Sequence, residues 1–403
     1  MKNPFNLLLL CLVLLITGRS TAQTFTNYTT ANGLPDNNVN GVAVDTNNVK
    51  WFGTQTGVAK FNDANWTVFT TADGLIDNYI NCIAVDKNNF IWAGTDMGIS
   101  RYNGQQWQSF TTADGLINNT ISCISTDGSG GVWIGTGSGL SHFDGILFTN
   151  YTVASGLPAE MISYLAIDGS NHVWIGTWIG GLAKFNGTIF TTFTTANGLP
   201  DNNITAIAID PSGNKWIGTY FGISRFDNSD NYVTTYTADS GLFNNFVKDL
   251  AIDSHSRLWA GIYADYLQEG AISLFNMTSW SSLTVTDGLV NTVVRRIAID
   301  KNDHVWVATG NGVSDYFPGN YGISEVSAFP WAVYPNPAED RLVIQNKSTN
   351  SHLFLFDTHG NKAFSAQLTS EINYLDVGSL NPGIYFMQVI ETGKVYSSKI
   401  VIR

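Results

Sequence analysis

Aromatic and acidic residues are concentrated in three short segments between residues 178 and 269. The segments read TWIGG, TYFG and IYADYLQEG, and they supply Trp178, Tyr220, Phe221, Tyr263, Asp265, Tyr266 and Glu269. Flat rings beside carboxylates suit a sugar, because its C–H faces stack on the rings while its hydroxyls meet polar groups. The same residues could instead form a protein interface or pack at the edge of the fold.

These segments belong to a sequence repeat. A Gly-Leu pair recurs at intervals of 41, 41, 41, 42, 43 and 47 residues, beginning at Gly33, Gly74, Gly115, Gly156, Gly198, Gly241 and Gly288. Each pair is followed by a tryptophan, which has an aspartate six residues before it. A fixed period of this length is typical of repeat architectures.

Within each repeat the hydrophobic periodicity is two, which predicts strands. In the first repeat the segments VNGVAVD, VKWFGT, GVAKFN and WTVFTT predict strands a to d, with Val39, Gly41 and Ala43 on one face of strand a. Four short strands in such a unit form a propeller blade. We expect the tryptophan to wedge between neighbouring blades, and the glycine that follows it in strand b to let the adjacent backbone come close.

The ends of the repeat region predict a closed ring. The seventh repeat stops after strand c, and its missing strand matches TFTNYTTANGL at the other end, with Phe25 where Trp66 stands in the next repeat. The chain is therefore expected to be all-β. It should form a seven-bladed β-propeller (residues 23–317) with four-stranded blades, in which the N-terminal strand closes the last blade.

The repeat pattern D-x-x-G/N-x-x-W-I-G-T-x-x-G-I/L-S-R/K-F/Y, with F-T-T-x-D-G-L-P-x-N, resembles the two-component regulator propeller repeat over residues 24–317. Such propellers are known from periplasmic sensor regions of hybrid two-component systems in Bacteroidota, where they take part in glycan sensing. We expect neither a kinase nor a regulator domain after the repeats, so the resemblance implies a propeller without implying signalling.

An enzyme would need a nucleophile, an acid–base pair or a metal cluster. In a propeller the d–a and b–c loops share one rim, and the three aromatic segments are b–c loops. A catalytic group at that rim would therefore have to come from one of these two kinds of loop. His172, His255 and His304 belong to a–b turns, which are expected on the opposite rim, and His142 lies in strand c where other repeats have Lys or Arg. Some seven-bladed propellers are lyases with histidines in the central funnel, and this sequence does not predict that arrangement.

Strand a carries two charged residues where other repeats have small or apolar ones. These residues are Asp249 and Arg296, and Tyr164 also departs from the pattern. We expect the charged pair to lie across adjacent blades. Such pairs are more often structural than catalytic.

The aspartate that begins each a–b turn is expected to accept hydrogen bonds from nearby backbone amides. No repeat supplies a full set of calcium ligands, so we predict neither a metal nor a cofactor. Cys82 and Cys123 hold equivalent places in consecutive repeats, and they are expected to be small buried side chains, with their pairing left open.

The first 22 residues predict a secretory signal peptide, with Lys2, an apolar run from Leu7 to Ile16 and small residues before Gln23. The apolar run is short for a membrane span. The formal net charge is −12, which argues against nucleic-acid binding.

The C-terminal residues predict a second domain. After a linker at 318–330, alternating apolar residues in 331–403 predict a small antiparallel β-sandwich. This region resembles the type A C-terminal sorting domain of the type IX secretion system through Tyr334, Pro335, Asn336, Pro337, Gly383 and Tyr385. The resemblance implies export across the outer membrane by that machinery.

The sequence thus predicts a secreted, surface-delivered propeller that acts as a binding module. The favoured ligand is a glycan or glycoconjugate. The main alternative is a structural or adhesive platform for protein–protein interaction, and a propeller lyase is a third, less favoured one.

Overall fold

The computed structural model describes residues 24–263, 269–318, 332–345, 351–357, 362–391 and 394–403. The chain divides into two compact units, Met1–Gly319 and Asn320–Arg403. The first unit contains seven four-stranded antiparallel sheets. The prediction of an all-β propeller with four-stranded blades is therefore confirmed.

The blades follow the order of the repeats, with strands a to d running outward from the centre. Strand β1 is Thr24–Tyr28. Blade 1 contains β2 (Val39–Val44), β3 (Lys50–Thr54), β4 (Gly57–Phe61) and β5 (Trp66–Phe69). Blade 2 contains β6 (Cys82–Val85), β7 (Ile91–Gly94), β8 (Ile99–Tyr102) and β9 (Trp107–Phe110). Blade 3 contains β10 (Ile121–Thr126), β11 (Val132–Thr136), β12 (Gly139–Phe143) and β13 (Phe148–Tyr151).

The other four blades repeat this arrangement. Blade 4 contains β14 (Ile162–Ile167), β15 (Val173–Thr177), β16 (Leu182–Phe185) and β17 (Phe190–Phe193). Blade 5 contains β18 (Ile204–Ile209), β19 (Lys215–Thr219), β20 (Gly222–Phe226) and β21 (Tyr232–Tyr236). Blade 6 contains β22 (Val247–Ile252), β23 (Leu258–Ile262), β24 (Ala271–Phe275) and β25 (Trp280–Leu283). Blade 7 contains β26 (Val294–Ile299), β27 (Val305–Thr309) and β28 (Gly312–Phe317), completed by β1.

The N-terminal strand closes the ring as predicted. Strand β1 pairs antiparallel with β28, placing Phe25 opposite Tyr316. The Tyr28 ring stacks on Trp306 of blade 7 and lies 5.0 Å from the Phe61 ring of blade 1. Closure therefore joins the last blade to the first by both backbone pairing and aromatic packing, and no blade lacks its outer strand.

A single turn of 3₁₀-helix follows each outer strand. The seven turns are Thr30–Asn32, Thr71–Asp73, Thr112–Asp114, Val153–Ser155, Thr195–Asn197, Ala238–Ser240 and Val285–Asp287. Each ends at the glycine of the recurring Gly-Leu pair, with φ between 101° and 118°. Only glycine adopts this left-handed region readily, which explains why the repeat keeps a glycine there.

The strand-b tryptophans pack between blades, as predicted. The Trp51 ring lies 6.0 Å from Tyr102 of blade 2, and the Trp306 ring lies 6.1 Å from Phe61 of blade 1. In six blades the indole N–H also donates to the aspartate six residues earlier, at 2.9–3.3 Å. That aspartate accepts from backbone amides as well, which confirms its predicted role in the a–b turn.

In six blades a glycine follows the tryptophan by two positions, and in blade 7 Ala308 takes its place. These glycines contact a different neighbour from the one predicted. A Cβ placed on Gly176 would lie 2.7 Å from Cγ2 of Ile204, a side chain of the next blade. Gly53 meets Ile80 of blade 2 in the same way, at 2.6 Å. The prediction of a backbone approach was therefore wrong. The missing Cβ makes room for a β-branched side chain.

Strict alternation also fails at the start of strand a. In six blades the register with strand b shifts by one residue there, as between Val39 and Gly41. Val39 and Gly41 pair with Thr54 and Gly53, which leaves Asn40 unpaired. A bulge of this kind re-aims one side chain. Here it directs a polar residue toward the central channel.

The second unit is a small antiparallel β-sandwich. One sheet contains β29 (Ala332–Tyr334), β30 (Arg341–Gln345) and β33 (Ile372–Asp376). The other contains β31 (Ser351–Phe356), β32 (Lys362–Leu368), β34 (Gly383–Glu391) and β35 (Lys394–Ile402). Leu342 and Ile344 from the first sheet share a core with Leu355, Met387 and Ile400 from the second.

Candidate functional site at the mouth of the propeller channel

A cavity of about 420 Å³ opens at the rim formed by the d–a and b–c loops. We call it the mouth cavity. Its lining comprises Asn40, Tyr79, Asn81, Ser122, Ser163, Trp178, Asn203, Ile204, Thr205, Tyr220, Lys248, Tyr263, Arg295 and Arg296. The lining combines aromatic rings, neutral hydrogen-bonding groups and cations, and none of its described residues is a carboxylate.

Seven of these residues occupy one equivalent position, one per blade, at the start of strand a. We call them the channel ring: Asn40, Asn81, Ser122, Ser163, Thr205, Lys248 and Arg295. Five of them donate a side-chain hydrogen bond to a main-chain carbonyl of the next blade, at 2.6–3.1 Å. This position therefore both links neighbouring blades and places a polar group on the channel wall, through the bulge in every blade except blade 2.

The last two members of the channel ring are cations. Arg295 donates from Nη1 to Oδ1 of Asn40 and from Nη2 to Oδ1 of Asn38, the latter at 3.2 Å. Among the described residues, Lys248 Nζ forms no hydrogen bond or ion pair. Burial, reinforced by Arg296 and opposed by Asp249, lowers the pKa of Lys248 to about 8. On the channel wall, Lys248 is therefore a cation without a hydrogen-bond partner in the described part of the chain, whereas Arg295 is held in place by two asparagines.

The floor of the mouth cavity is a hydrogen-bonded network from three blades. Nη1 of Arg296 lies 3.4 Å from Oδ1 of Asp249, which confirms the predicted pair across adjacent blades. The hydroxyl of Tyr164 donates to the same oxygen at 2.7 Å, and the Arg296 guanidinium lies 4.9 Å from the Tyr164 ring centroid. Oδ2 of Asp249 accepts from the backbone N–H of Ile297 at 2.7 Å. The charged and polar groups of the floor are hydrogen-bonded to one another, so the floor has a structural role.

Both cysteines lie below this floor, in a smaller cavity that Arg296 also lines. Cys82 and Cys123 are free and buried, so the prediction of small buried side chains is confirmed. Burial raises the pKa of both thiols, and for Cys123 the value is about 11. The thiols are therefore protonated near neutral pH and poorly nucleophilic.

Aromatic rings form one side of the mouth cavity. Tyr220 stacks on Phe246 with ring centroids 4.6 Å apart, and Phe246 lies 6.3 Å from Tyr263. Hydrogen bonds hold the loops in place, from the backbone N–H of Trp178 to Met161 O and from that of Tyr263 to Phe246 O. Trp178 remains 45% exposed. Its ring is therefore available to a ligand.

Three of the seven residues predicted from sequence come together in the mouth cavity, namely Trp178, Tyr220 and Tyr263. Phe221 follows Tyr220 but is 60% exposed and does not line the cavity. Glu269 lies in a separate shallow pocket with Phe243. The two remaining predicted residues, Asp265 and Tyr266, lie outside the described residues.

Sequence reasoning missed the channel ring and Tyr79. The ring was missed because strict alternation assigned strand a to two faces and gave its second residue no separate role. A usable signal was present, since that position is Asn, Asn, Ser, Ser, Thr, Lys and Arg in consecutive repeats. A position that is always polar in an otherwise apolar strand indicates exposure to water or a ligand.

A second cavity, of about 680 Å³, lies at the opposite rim among the a–b turns of blades 4 to 6. Its lysines are paired, because Lys184 and Lys215 both contact Asp230. His172, also in its lining, lies 3.0 Å from Asp168. Charged groups here satisfy one another, unlike Lys248 in the mouth cavity. Among the described residues, no group of three His, Cys, Asp or Glu side chains could hold a metal ion.

In the C-terminal unit the predicted sorting residues lie near the first and last strands. The Asn336 side chain brackets strand β35, donating to Lys399 O at 3.0 Å and accepting from Val401 N at 2.9 Å. Gly383 begins β34, and the hydroxyl of Tyr385 donates to Asn381 O at 2.9 Å. Tyr334 is partly exposed, and Pro335 and Pro337 flank Asn336.

Two families match this chain. Residues 332–403 match the secretion system C-terminal sorting domain. Residues 74–97, 115–138 and 198–221 match the two component regulator propeller. No curated protein matches the sequence. The sorting domain directs export through the type IX secretion system to the cell surface or the medium. In the described part of the chain, no helix has the length and apolarity needed to cross a membrane.

Solved structures share the fold at low sequence identity. The extracellular domain of BT3049, assigned to a hybrid two-component system of B. thetaiotaomicron, matches with a TM-score of 0.67 and 19% identity over 94% of this chain and 57% of that one. PorZ, a surface component of the type-IX secretion system of Porphyromonas gingivalis, matches with a TM-score of 0.60 and 15% identity over 92% and 60%. This chain thus spans less than two thirds of the length of either protein.

Enzymes occur among the similar structures as well. Virginiamycin B lyase from Staphylococcus aureus matches with a TM-score of 0.60 and 14% identity over 73% of this chain and 98% of that one. At such identities the likeness establishes the propeller fold and says nothing about the reaction.

Proposed function

We propose that this chain, a propeller of two-component regulator repeats followed by a type IX sorting domain, is a surface-delivered binding protein that takes a glycan or glycoconjugate in the mouth cavity. The observation that carries the proposal is the composition of that cavity. Aromatic rings form one side, and the channel ring supplies hydrogen-bonding groups around it. Sugars combine apolar C–H faces with hydroxyls, so they need both kinds of surface.

The size of the mouth cavity suits one or two sugar residues. Its volume of about 420 Å³ lies within the range of small-molecule sites, roughly 300–1,000 Å³. Trp178 and Tyr220 offer faces on which a pyranose can stack. Oδ1 of Asn203, which also lines the cavity, is buried and accepts no hydrogen bond among the described residues. A sugar hydroxyl would satisfy that acceptor.

The test is a glycan-array screen of the full mature chain, beside a variant carrying Trp178→Ala and Tyr220→Ala. We expect specific glycan binding that the double variant loses, because the stacking surface is removed. Ile146→Ala serves as the control, since Ile146 is an exposed apolar residue in a c–d turn, distant from the mouth cavity. Binding to no glycan, or equal binding by the double variant, would contradict the proposal.

A second candidate function is a platform for protein–protein interaction, favoured by apolar residues outside the mouth cavity. Ile179 is 76% exposed and Phe221 is 60% exposed, and both lie in b–c loops. Replacing both with aspartate would disrupt a protein interface while leaving the cavity lining unchanged. Loss of a surface partner in co-purification with this variant, combined with a negative glycan array, would favour the second function over the first.

A further inference from the structure

We infer that the ligand of the mouth cavity is an acidic saccharide, and that its carboxylate or sulfate group binds between Lys248 and Arg295. The inference rests on the proposed function and narrows its ligand class. It is carried by the distribution of charge around the cavity and by the hydrogen-bonding state of the two cations.

The mouth cavity concentrates positive charge in an acidic protein. Lys248, Arg295 and Arg296 make up three of the chain's 20 Lys and Arg residues, whereas the formal net charge is −12. Arg296 has its counter-charge in Asp249. Among the described residues no carboxylate lines the cavity, and neither Lys248 nor Arg295 forms an ion pair there.

Several partly buried cations of this propeller have carboxylate partners, whereas Arg101 and Arg225 lie over the rings of Trp92 and Trp216. Lys50 contacts Asp63 and Asp300, and Arg257 lies 2.6 Å from Asp253. Placing a cation in a partly desolvated site without a counter-ion costs free energy. Among the described residues, Lys248 has no carboxylate within ion-pair distance and no hydrogen bond. An anionic ligand would supply the missing partner.

Arg295 is held ready for an anion. The two asparagines that accept from its guanidinium fix its orientation without neutralising its charge. A guanidinium has five N–H donors, so further donors remain for a ligand. Planar oxyanions such as carboxylate, and also sulfate, match that donor geometry. The channel ring thus combines one restrained cation with one adaptable cation on adjacent blades.

The titration of Lys248 provides a signature of this site. Its pKa of about 8 reflects burial and the nearby Arg296 and Arg295, with Asp249 opposing the shift. The phenols of Tyr220 and Tyr263 also line the cavity. The free protein loses this charge as the pH rises through about 8, whereas a bound anion favours the charged form. Affinity for an acidic sugar should therefore fall above that pH.

The experiment measures binding of three oligosaccharides to the full mature chain by calorimetry. The probes are hexagalacturonate, its fully methyl-esterified form, and a sulfated galactan oligosaccharide that carries no carboxylate. We expect binding of the carboxylate or the sulfate probe, with binding of the neutral ester at least about tenfold weaker, as for loss of one charge-assisted hydrogen bond. Comparing hexagalacturonate with the sulfated galactan shows whether the anion that binds is a carboxylate or a sulfate.

Two lysine variants assign the effect to the site. Lys248→Met should weaken binding of the acidic probe about tenfold and leave binding of the neutral ester unchanged. Lys248→Arg should retain binding and remove the loss of affinity above pH 8, because an arginine stays charged. Trp178→Ala should weaken binding of acidic and neutral probes alike, since it removes stacking.

Each contrary result has a distinct meaning. Binding of the neutral ester as tight as that of the better acidic probe, or no effect of Lys248→Met on the acidic probe, would overturn the acidic ligand and leave glycan binding intact. Binding of none of the probes, together with a negative glycan array, would overturn the proposed function as well. Unchanged thermal unfolding of Lys248→Met would show that a loss of binding is not a loss of fold.

Discussion

The hydroxyl of Tyr164 donates a hydrogen bond to Oδ1 of Asp249 across the central channel, at 2.7 Å. The two residues belong to blades 4 and 6, which are not neighbours in the ring. Burial and the adjacent Asp249 raise the pKa of Tyr164 well above its ordinary value, so the phenol remains a donor at neutral pH. With Arg296 from blade 7, this contact braces the channel beneath the mouth cavity.

Replacing Tyr164 with phenylalanine should lower the free energy of unfolding by about 1–3 kcal/mol, because a buried carboxylate loses one of its donors. Urea denaturation of both proteins would measure the change. Tyr151→Phe is a suitable control, since no hydrogen bond of the Tyr151 hydroxyl is present among the described residues. Equal stability of wild type and Tyr164→Phe would show that the brace contributes nothing.

Blade 3 offers a test of the Trp–Asp hydrogen bond. There Nε2 of His142 lies 3.3 Å from Oδ2 of Asp127, and Nε1 of Trp133 is buried without a hydrogen-bond partner. In blade 6, where Leu274 occupies the equivalent place, the tryptophan does reach its aspartate. We expect His142→Leu to free Asp127 for Trp133 and to raise stability by about 1 kcal/mol. Thermal and urea unfolding check this, and a clear loss of stability would contradict it.

The pH dependence of stability should include a contribution from His304. Its Nδ1 lies 2.7 Å from Oδ1 of Asp315, and this hydrogen bond raises the pKa of His304 in the folded state. A raised folded-state pKa gives stability that is complete below the unfolded value, about 6.5, and lost as the pH rises through the folded value. The stability difference between wild type and His304→Gln should therefore shrink from acidic to alkaline pH. Calorimetric unfolding across that range measures it, and a constant difference would refute the assignment.

A side chain added at an interblade glycine should destabilise the propeller. In Gly176→Ala the new Cβ would lie 2.7 Å from Cγ2 of Ile204 and 2.9 Å from Cβ of Ile204, so one blade must shift. Overpacking of this kind costs about 1–3 kcal/mol of unfolding free energy. Gly137→Ala is the matched control, because an added Cβ there meets nothing within 4 Å. Similar stability of the two variants in urea would argue that the blades are not tightly packed.

Local sequence was sufficient to predict the number of blades, the closing strand and the a–b turns. These features depend on contacts within one repeat or between adjacent repeats, such as Trp51 with Asp45 six residues before it. The period carries that information because each blade makes the same contacts as the previous one. The aromatic b–c loops were found for the same reason, since their departure from the repeat is visible in sequence.

The composition of the mouth cavity was decided by the tertiary structure. A bulge turns one residue of strand a toward the channel, and neither alternation nor repeat period reveals that turn. Ring closure then brings Arg295 into contact with Asn40, 255 residues away in the chain, and places Lys248 in the same cavity lining. Tyr220 and Phe221 also show what the sequence predicts and what only the tertiary structure decides. The sequence marks both as rim aromatics, but only the loop conformation places the first in the cavity and the second in solvent.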